Sequence, residues 1–212
     1  MKRCKQILFL VLVMILAFAP SAMAAKHSIY KPGTAEMNAM NAFLTAFTEM
    51  DSPAITSTAS SADLIQFYYN HLWYSDYQAF ASGDYAGGNN YRVSDARVQE
   101  IVGQFFYNPM KVDLYQSEYD YDGKYFYNAE TGGRIRGGFA ITTSIYSLGN
   151  DKYFVSYMTF GEGEYWSEAQ TKLTLNEAWS KFGDPVGFGS ALICADNLKD
   201  ADTYRMISFS PA

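Results

Sequence analysis

The stretch Lys111-Val-Asp-Leu-Tyr-Gln-Ser-Glu-Tyr-Asp-Tyr-Asp-Gly-Lys-Tyr-Phe-Tyr-Asn128 divides the chain into two kinds of pattern. Before it, apolar residues recur every three to four positions, the spacing of helices with one buried stripe. From here on they alternate with polar residues, because successive side chains of a strand point to opposite faces. Asp122-Gly123 marks a tight hairpin, since the favoured two-residue turns need positive φ and glycine supplies it without strain. Strands are therefore expected over Lys111 to Tyr119 and Lys124 to Asn128, with Tyr121-Asp122-Gly123 turning the chain.

Working upstream, Met37, Met40, Phe43, Leu44 and Phe47 form a helical stripe in Thr34 to Met50. Thr56 to Ser61 reads as a loop, and Ser60 with Asp63 three residues on caps a second helix with the stripe Leu64, Ile65, Tyr68, Tyr69 and Leu72. The glycine-rich stretch from Ser82 to Asn90 is a loop, and Ser94 caps a third helix carrying Val98, Ile101, Val102 and Phe105. Working downstream, Phe139 to Tyr146 and Tyr153 to Phe160 alternate around a turn at Leu148-Gly149-Asn150-Asp151. Thr174 and Glu177 cap one short helix near residues 175–182, and strands Val186 to Ala195 and Thr203 to Ser210 close the chain. The pattern predicts an α+β fold. Three N-terminal helices pack on one cone-like antiparallel sheet of about five to six strands.

The first 24 residues stand apart from this fold. Lys2, Arg3 and Lys5 precede the apolar run Ile7 to Ala19, and Ala22-Met23-Ala24 follows it. That is the layout of a secretory signal peptide cleaved between Ala24 and Ala25. The run is shorter than the roughly 20 residues a bilayer crossing needs, so no stable membrane insertion is expected after cleavage. A single exported domain spanning 25–212 follows, periplasmic or extracellular. Its Cys194 has no intrachain partner once Cys4 is removed, so packing and not a disulfide must hold the core. Removing the three leader bases from 16 leaves 13 against 22 acids, a net charge of −9. An acidic chain lacks the clustered cations that neutralise phosphates, which argues against nucleic acid as a partner.

Four local patterns carry a resemblance: Ile65-Gln-Phe-Tyr-Tyr-Asn-His71, Val98-x-x-Ile-Val-x-x-Phe-Phe106, Tyr121-Asp-Gly-Lys-Tyr-Phe126 and Leu148-Gly-Asn-Asp-Lys-Tyr-Phe-Val155. With the element order, they resemble certain uncharacterised secreted bacterial domains. The order is also similar to the cone-shaped fold of nuclear-transport-factor-2-like and cystatin-like proteins. The first resemblance implies no activity. The second spans pockets, enzymes and non-catalytic modules, so it implies a fold and no function.

Candidates for chemistry are few. His71, on or beside the stripe of the second helix, is the candidate general base, oriented by Asp76 or a strand tyrosine. Glu118, Asp120 and Asp122 before Gly123 echo the start of a calcium loop, although the position-twelve acid is displaced to Glu130. Alternating acids on a strand ordinarily face water, and neither a metal nor a cofactor is expected. Glu162, Glu164 and Glu168 would suit a carboxylate pair, and Arg134 with Arg136 would suit an oxyanion; both segments also read as solvated turns. The larger signal is the load of 18 Tyr, 15 Phe and 3 Trp. Tyr119, Tyr121, Tyr125 and Tyr127 share odd parity on the hairpin, but the turn between them can reset which face each strand presents. With Trp166, Arg134 and Arg136 they are the expected binding residues, because exposed aromatics give large rigid contact area to a glycan or peptide. The expected function is a non-catalytic exported module that binds a ligand or partner. The alternatives are a small pocket hydrolase or isomerase built on His71, and a structural envelope protein.

Overall fold

The computed structural model describes residues 28–50, 52–56, 59–107, 111–128, 137–161 and 168–211. The fold is α+β, with five helices and two antiparallel sheets of five and four strands among the described residues. Two sheets replace the single cone-like sheet that the pattern predicted. The large sheet has the order β1 (Ser28–Tyr30), β6 (Phe139–Gly149), β7 (Lys152–Phe160), β8 (Gly187–Ala195) and β9 (Tyr204–Ser210). The small sheet has the order β2 (Ala81–Ser82), β3 (Tyr91–Ser94), β5 (Tyr125–Asn128) and β4 (Asp120–Tyr121).

Helices α1 (Thr34–Thr48), α2 (Ser61–Ser75) and α3 (Asp95–Phe105) do not simply lead the strands. β1 precedes α1, and β2 and β3 stand between α2 and α3. Two short helices follow, α4 (Glu168–Thr171) and α5 (Leu175–Phe182). Their starts follow local chemistry. Ser60 and Asp63 exchange capping hydrogen bonds at α2, Thr174 and Glu177 do so at α5, and the Ser94 hydroxyl accepts from the Arg97 N–H at α3. The expected strand from Lys111 to Tyr119 does not form. That segment is a succession of turns and bends, held by the Asp113 carboxylate and the Ser117 hydroxyl accepting nearby backbone N–H groups.

Both sheets contribute to one hydrophobic cluster, in which Phe43 and Phe47 of α1 meet Phe67 of α2, Val93 and Phe126 of the small sheet, and Phe209 of the large one. A second cluster, Phe139, Ile141, Phe160 and Ala178, lies between α5 and one end of the large sheet's other face. β1 pairs with β6 only at Ile145, Tyr146 and Ser147, which leaves the rest of that edge of β6 without a strand neighbour. Helix α1 closes part of the gap with two buried side chains one turn apart. Asn41 Oδ1 accepts from the Thr142 N–H at 2.7 Å, and Thr45 Oγ1 accepts from the Ala140 N–H at 3.0 Å. Asn41 also donates to the Thr171 carbonyl at 2.9 Å, fixing α4 against the same edge. Buried strand amides without a strand neighbour thereby find partners. Among the described residues no helix is long and apolar enough to cross a membrane.

Candidate functional site

The hairpin tyrosines fall on two faces. Tyr121 pairs with Phe126 and Asp120 with Tyr127, while Gly123, at φ 96°, begins the turn that joins them. An Asp122 N–H to Tyr125 carbonyl bond of 3.2 Å leaves Gly123 and Lys124 as a two-residue loop. Such a loop sets each odd-numbered residue of one strand opposite an even-numbered residue of the other. Tyr119 and Tyr121 therefore turn toward the core with Phe126, whereas Tyr125 and Tyr127 turn away from it.

The inward pair is built into the fold. Tyr119 stacks on Tyr69 with centroids 3.8 Å apart and donates to Asn70 Oδ1 at 3.0 Å. Tyr121 stacks on Phe126 at 4.5 Å and donates to Asp95 Oδ2 at 2.8 Å. Burial, and then the Asp95 carboxylate, push the Tyr121 phenol up to about 12. The geometry of these two rings is that of core residues.

The outward pair joins two residues that the sequence reading passed over. Arg92 of β3 stands opposite Tyr127, between Ala81 and Asp120 in one row across all four strands. Its guanidinium carbon lies 4.4 Å from the Tyr125 ring centre and 4.7 Å from that of Tyr85. Stacking of this kind contributes about 0.5 to 2 kcal/mol per ring, more as water is excluded. Tyr85 comes from the glycine-rich loop; its hydroxyl donates to the Ala81 carbonyl at 3.3 Å, and its ring meets Tyr127 edge-on at 5.8 Å. Lys124 places its ammonium 4.9 Å from the Tyr125 ring centre.

Asp122 organises the rim of this face. Its Oδ1 accepts from the backbone N–H groups of Lys124 and Tyr125, and its Oδ2 accepts the Tyr127 hydroxyl at 2.7 Å. The Tyr127 hydrogen bond, followed by that from the Tyr125 backbone, holds the Asp122 carboxyl below its ordinary range. The same contact holds the Tyr127 phenol above its own. Asp120 Oδ2 accepts from the Asn89 amide at 3.4 Å. Asp120 and Asp122, two of the three acids that echo the start of a calcium loop, are thus engaged in turn and side-chain bonds. Among the described residues no group of three His, Cys, Asp or Glu converges on a metal position.

The Arg92 Nε is buried and has no hydrogen-bond partner among the described residues, and the two ion pairs found there both belong to Arg97. A stacked guanidinium is held in one plane with its N–H donors along the edge. Arg92 already shares a side-chain hydrogen bond with Tyr127, so what the face can offer a ligand are the remaining terminal N–H groups and not the buried Nε. With Asp120 and Asp122 close by, the face alternates donors with acceptors. That pattern favours neutral groups that both give and take hydrogen bonds, such as sugar hydroxyls and peptide amides, over free anions.

His71 is mostly buried, with its ring 4.4 Å from Phe105 and 6.0 Å from Phe67. Burial, and then the Arg97 cation, lower its pKa to about 4. Asp76, its expected orienting partner, instead holds Arg97 at 2.7 Å, and Arg97 also binds Glu100. Cys194 lies part-exposed on β8, its thiol pushed up by burial and by Asp196 and Asp151. Trp166, Arg134, Arg136, Glu162 and Glu164 lie outside the described residues, as do the side chain of Glu168 and the leader with its Ala24–Ala25 junction. A short signal for Arg92 was present in Tyr91-Arg92-Val93, whose alternation is that of a strand, but it stands directly before a helix cap. Compared with known proteins, the chain matches no family model, no curated protein and no solved structure, so its resemblance in element order rests on that order alone.

Proposed function

We infer that the protein is an exported, non-catalytic binding module that takes its ligand on the outward face of the small sheet. The observation that carries this reading is Arg92, held between the Tyr85 and Tyr125 rings beside Asp120 and Asp122 and forming no ion pair among the described residues. The ligand class that suits the face is a glycan, with an extended peptide as the other polar candidate. Vicinal hydroxyls can accept from the Arg92 fork and donate to Asp120 or Asp122, while Tyr rings pack against the apolar faces of a sugar. The leader-like pattern of Lys2, Arg3, Lys5 and the run Ile7 to Ala19 supports a periplasmic or extracellular place for such a module. A non-catalytic role accords with His71, a weakly basic imidazole set against aromatic rings, whose candidate orienting partner Asp76 is held by Arg97 instead.

Glycan and peptide arrays probed with the chain from Ala25 onward test the reading, with Arg92→Ala, Tyr125→Ala and Trp166→Ala in parallel. Binding that is lost in the Arg92 and Tyr125 variants supports it. No binding, or binding equal in those variants, contradicts it. Loss only in the Trp166 variant would move the site elsewhere.

A further inference from the structure

The large sheet has a second face that the described helices leave half open. Tyr146, Phe154 and Leu192 line up across β6, β7 and β8, with Ile29 joining from β1; on β9 Ser208 stands opposite Leu192, and Ile207 occupies the bulge next to it. None of the five belongs to either hydrophobic cluster. Beside this apolar row runs a row of hydroxyls, in which Ser144 faces Ser156, Ser156 faces Ser190, and Ser190 faces Ser210. Of the seven large hydrophobics exposed among the described residues, Ile29, Phe188, Val186 and Trp179 lie on or against this face, Ile29 at 69% and Phe188 at 58% exposure. A soluble monomer rarely leaves so continuous an apolar area in water.

We propose that this face is the interface between two copies of the chain, packed sheet against sheet about a two-fold axis. Size is the first argument. The Tyr146 row spans five strands, the serine row four and the Phe188 row two, which at about 4.8 Å between strands and about 6.8 Å between rows gives each copy on the order of 360 Å² in flat projection. Side-chain relief with Phe188 and Val186 enlarges it. Two copies thereby approach the roughly 1,000 Å² at which specific interfaces begin. Charge is the second argument. The chain as a whole carries a net −6, which opposes self-association, yet the end of this face near Cys194 has Lys152 and Arg205 beside Asp151 and Asp196. A balanced patch is complementary to its own two-fold copy, whereas a strongly charged partner would call for one sign. Shape is the third, since short serines beside a row of larger side chains make ridges and grooves that can interdigitate in an aligned sheet packing.

Sedimentation equilibrium of the chain from Ala25 onward, over a wide concentration range, tests this directly. A dimer is expected, and Ile29→Glu with Phe188→Glu, both at exposed positions, should convert it to a monomer with an unchanged circular dichroism spectrum. As a measurement that needs no variant, the part-exposed Cys194 thiol should react faster with a bulky thiol reagent as the protein is diluted. A wild-type chain that stays monomeric at its highest soluble concentration overturns the proposal. So does a dimer that survives folded Ile29→Glu/Phe188→Glu, or a Cys194 reaction rate independent of concentration. Binding of the monomer to a different protein through this face would likewise count against it.

Discussion

Tyr121 stands opposite Phe126 across the small sheet, with the two rings stacked 4.5 Å apart, and that pairing decides which of the hairpin tyrosines a ligand can reach. Tyr121→Phe keeps the stack and loses only the hydrogen bond to Asp95, at a cost of about 1 kcal/mol. Tyr121→Ala loses the stack as well and should cost about 3 kcal/mol or more. Tyr125→Ala removes a ring that belongs to neither hydrophobic cluster, so it should change stability by about 1 kcal/mol or less while it alters ligand binding. Urea denaturation of the three variants checks the ranking. An equal loss in Tyr121→Ala and Tyr125→Ala would contradict the division of faces.

Gly189 is where the sheet makes room for a ring. A Cβ at this position would overlap the Tyr157 ring, which stacks on Phe209 at 5.9 Å and points its hydroxyl at the Ser210 carbonyl. Gly189→Ala should therefore destabilise by about 1 to 3 kcal/mol through overpacking. The same change in a Tyr157→Ala background should cost markedly less, because the two residues share one space. Thermal melts of the single and double variants report the coupling, and additive losses would show that the ring is not what the glycine accommodates.

His71 makes stability depend on pH in one window. Its folded pKa, near 4, lies below the unfolded value of about 6.5, so the unfolded chain binds the proton first as pH falls. Stability from the neutral imidazole is complete above about pH 6.5 and is lost down to about pH 4, by on the order of 3 kcal/mol. Urea midpoints between pH 7 and 4.5 should fall in the wild type and flatten in His71→Leu. Parallel slopes in the two proteins would be inconsistent with a buried neutral histidine.

Tyr68 carries a hydroxyl that is buried and has no hydrogen-bond partner among the described residues, and burial holds its phenol firmly protonated. Folding strips water from that group without replacing it, which costs about 1 kcal/mol or more. Tyr68→Phe should accordingly raise stability by about that amount, in contrast to Tyr121→Phe. A loss of stability on guanidinium denaturation would mean the hydroxyl has a partner after all.

Local chemistry was the legible part of the sequence. Ser60 with Asp63 and Thr174 with Glu177 announce their helices because a cap is settled within four residues. The turn between β6 and β7 was equally readable, since Asn150 and Asp151 both adopt the positive φ that a tight hairpin demands. Long-range pairing was not. β2 and β3 are two and four residues long, too short to show a period, and β3 runs straight into α3. That loss hid the second sheet, and with it the meeting of Arg92, Tyr85 and Tyr125. The face of each hairpin tyrosine depended on whether the loop had an even or odd length, which shared parity alone could not decide. Likewise, the hydrogen bonds that Asn41 and Thr45 accept from the N–H groups of a strand about a hundred residues away leave no pattern in sequence.

The central claim is that a ligand engages the Arg92 fork on the outward face of the small sheet. Nitrogen-15 NMR of the Arg92 side chain tests it most directly, because the Nε–H is buried, has no partner among the described residues and gives a resolved probe at the proposed site. Titration with the strongest array ligand should shift the Arg92 Nε–H and the Tyr125 and Tyr127 ring signals together, and leave Tyr119 and Tyr121 nearly unmoved. A ligand that binds while the Arg92 Nε–H stays fixed would contradict the claim.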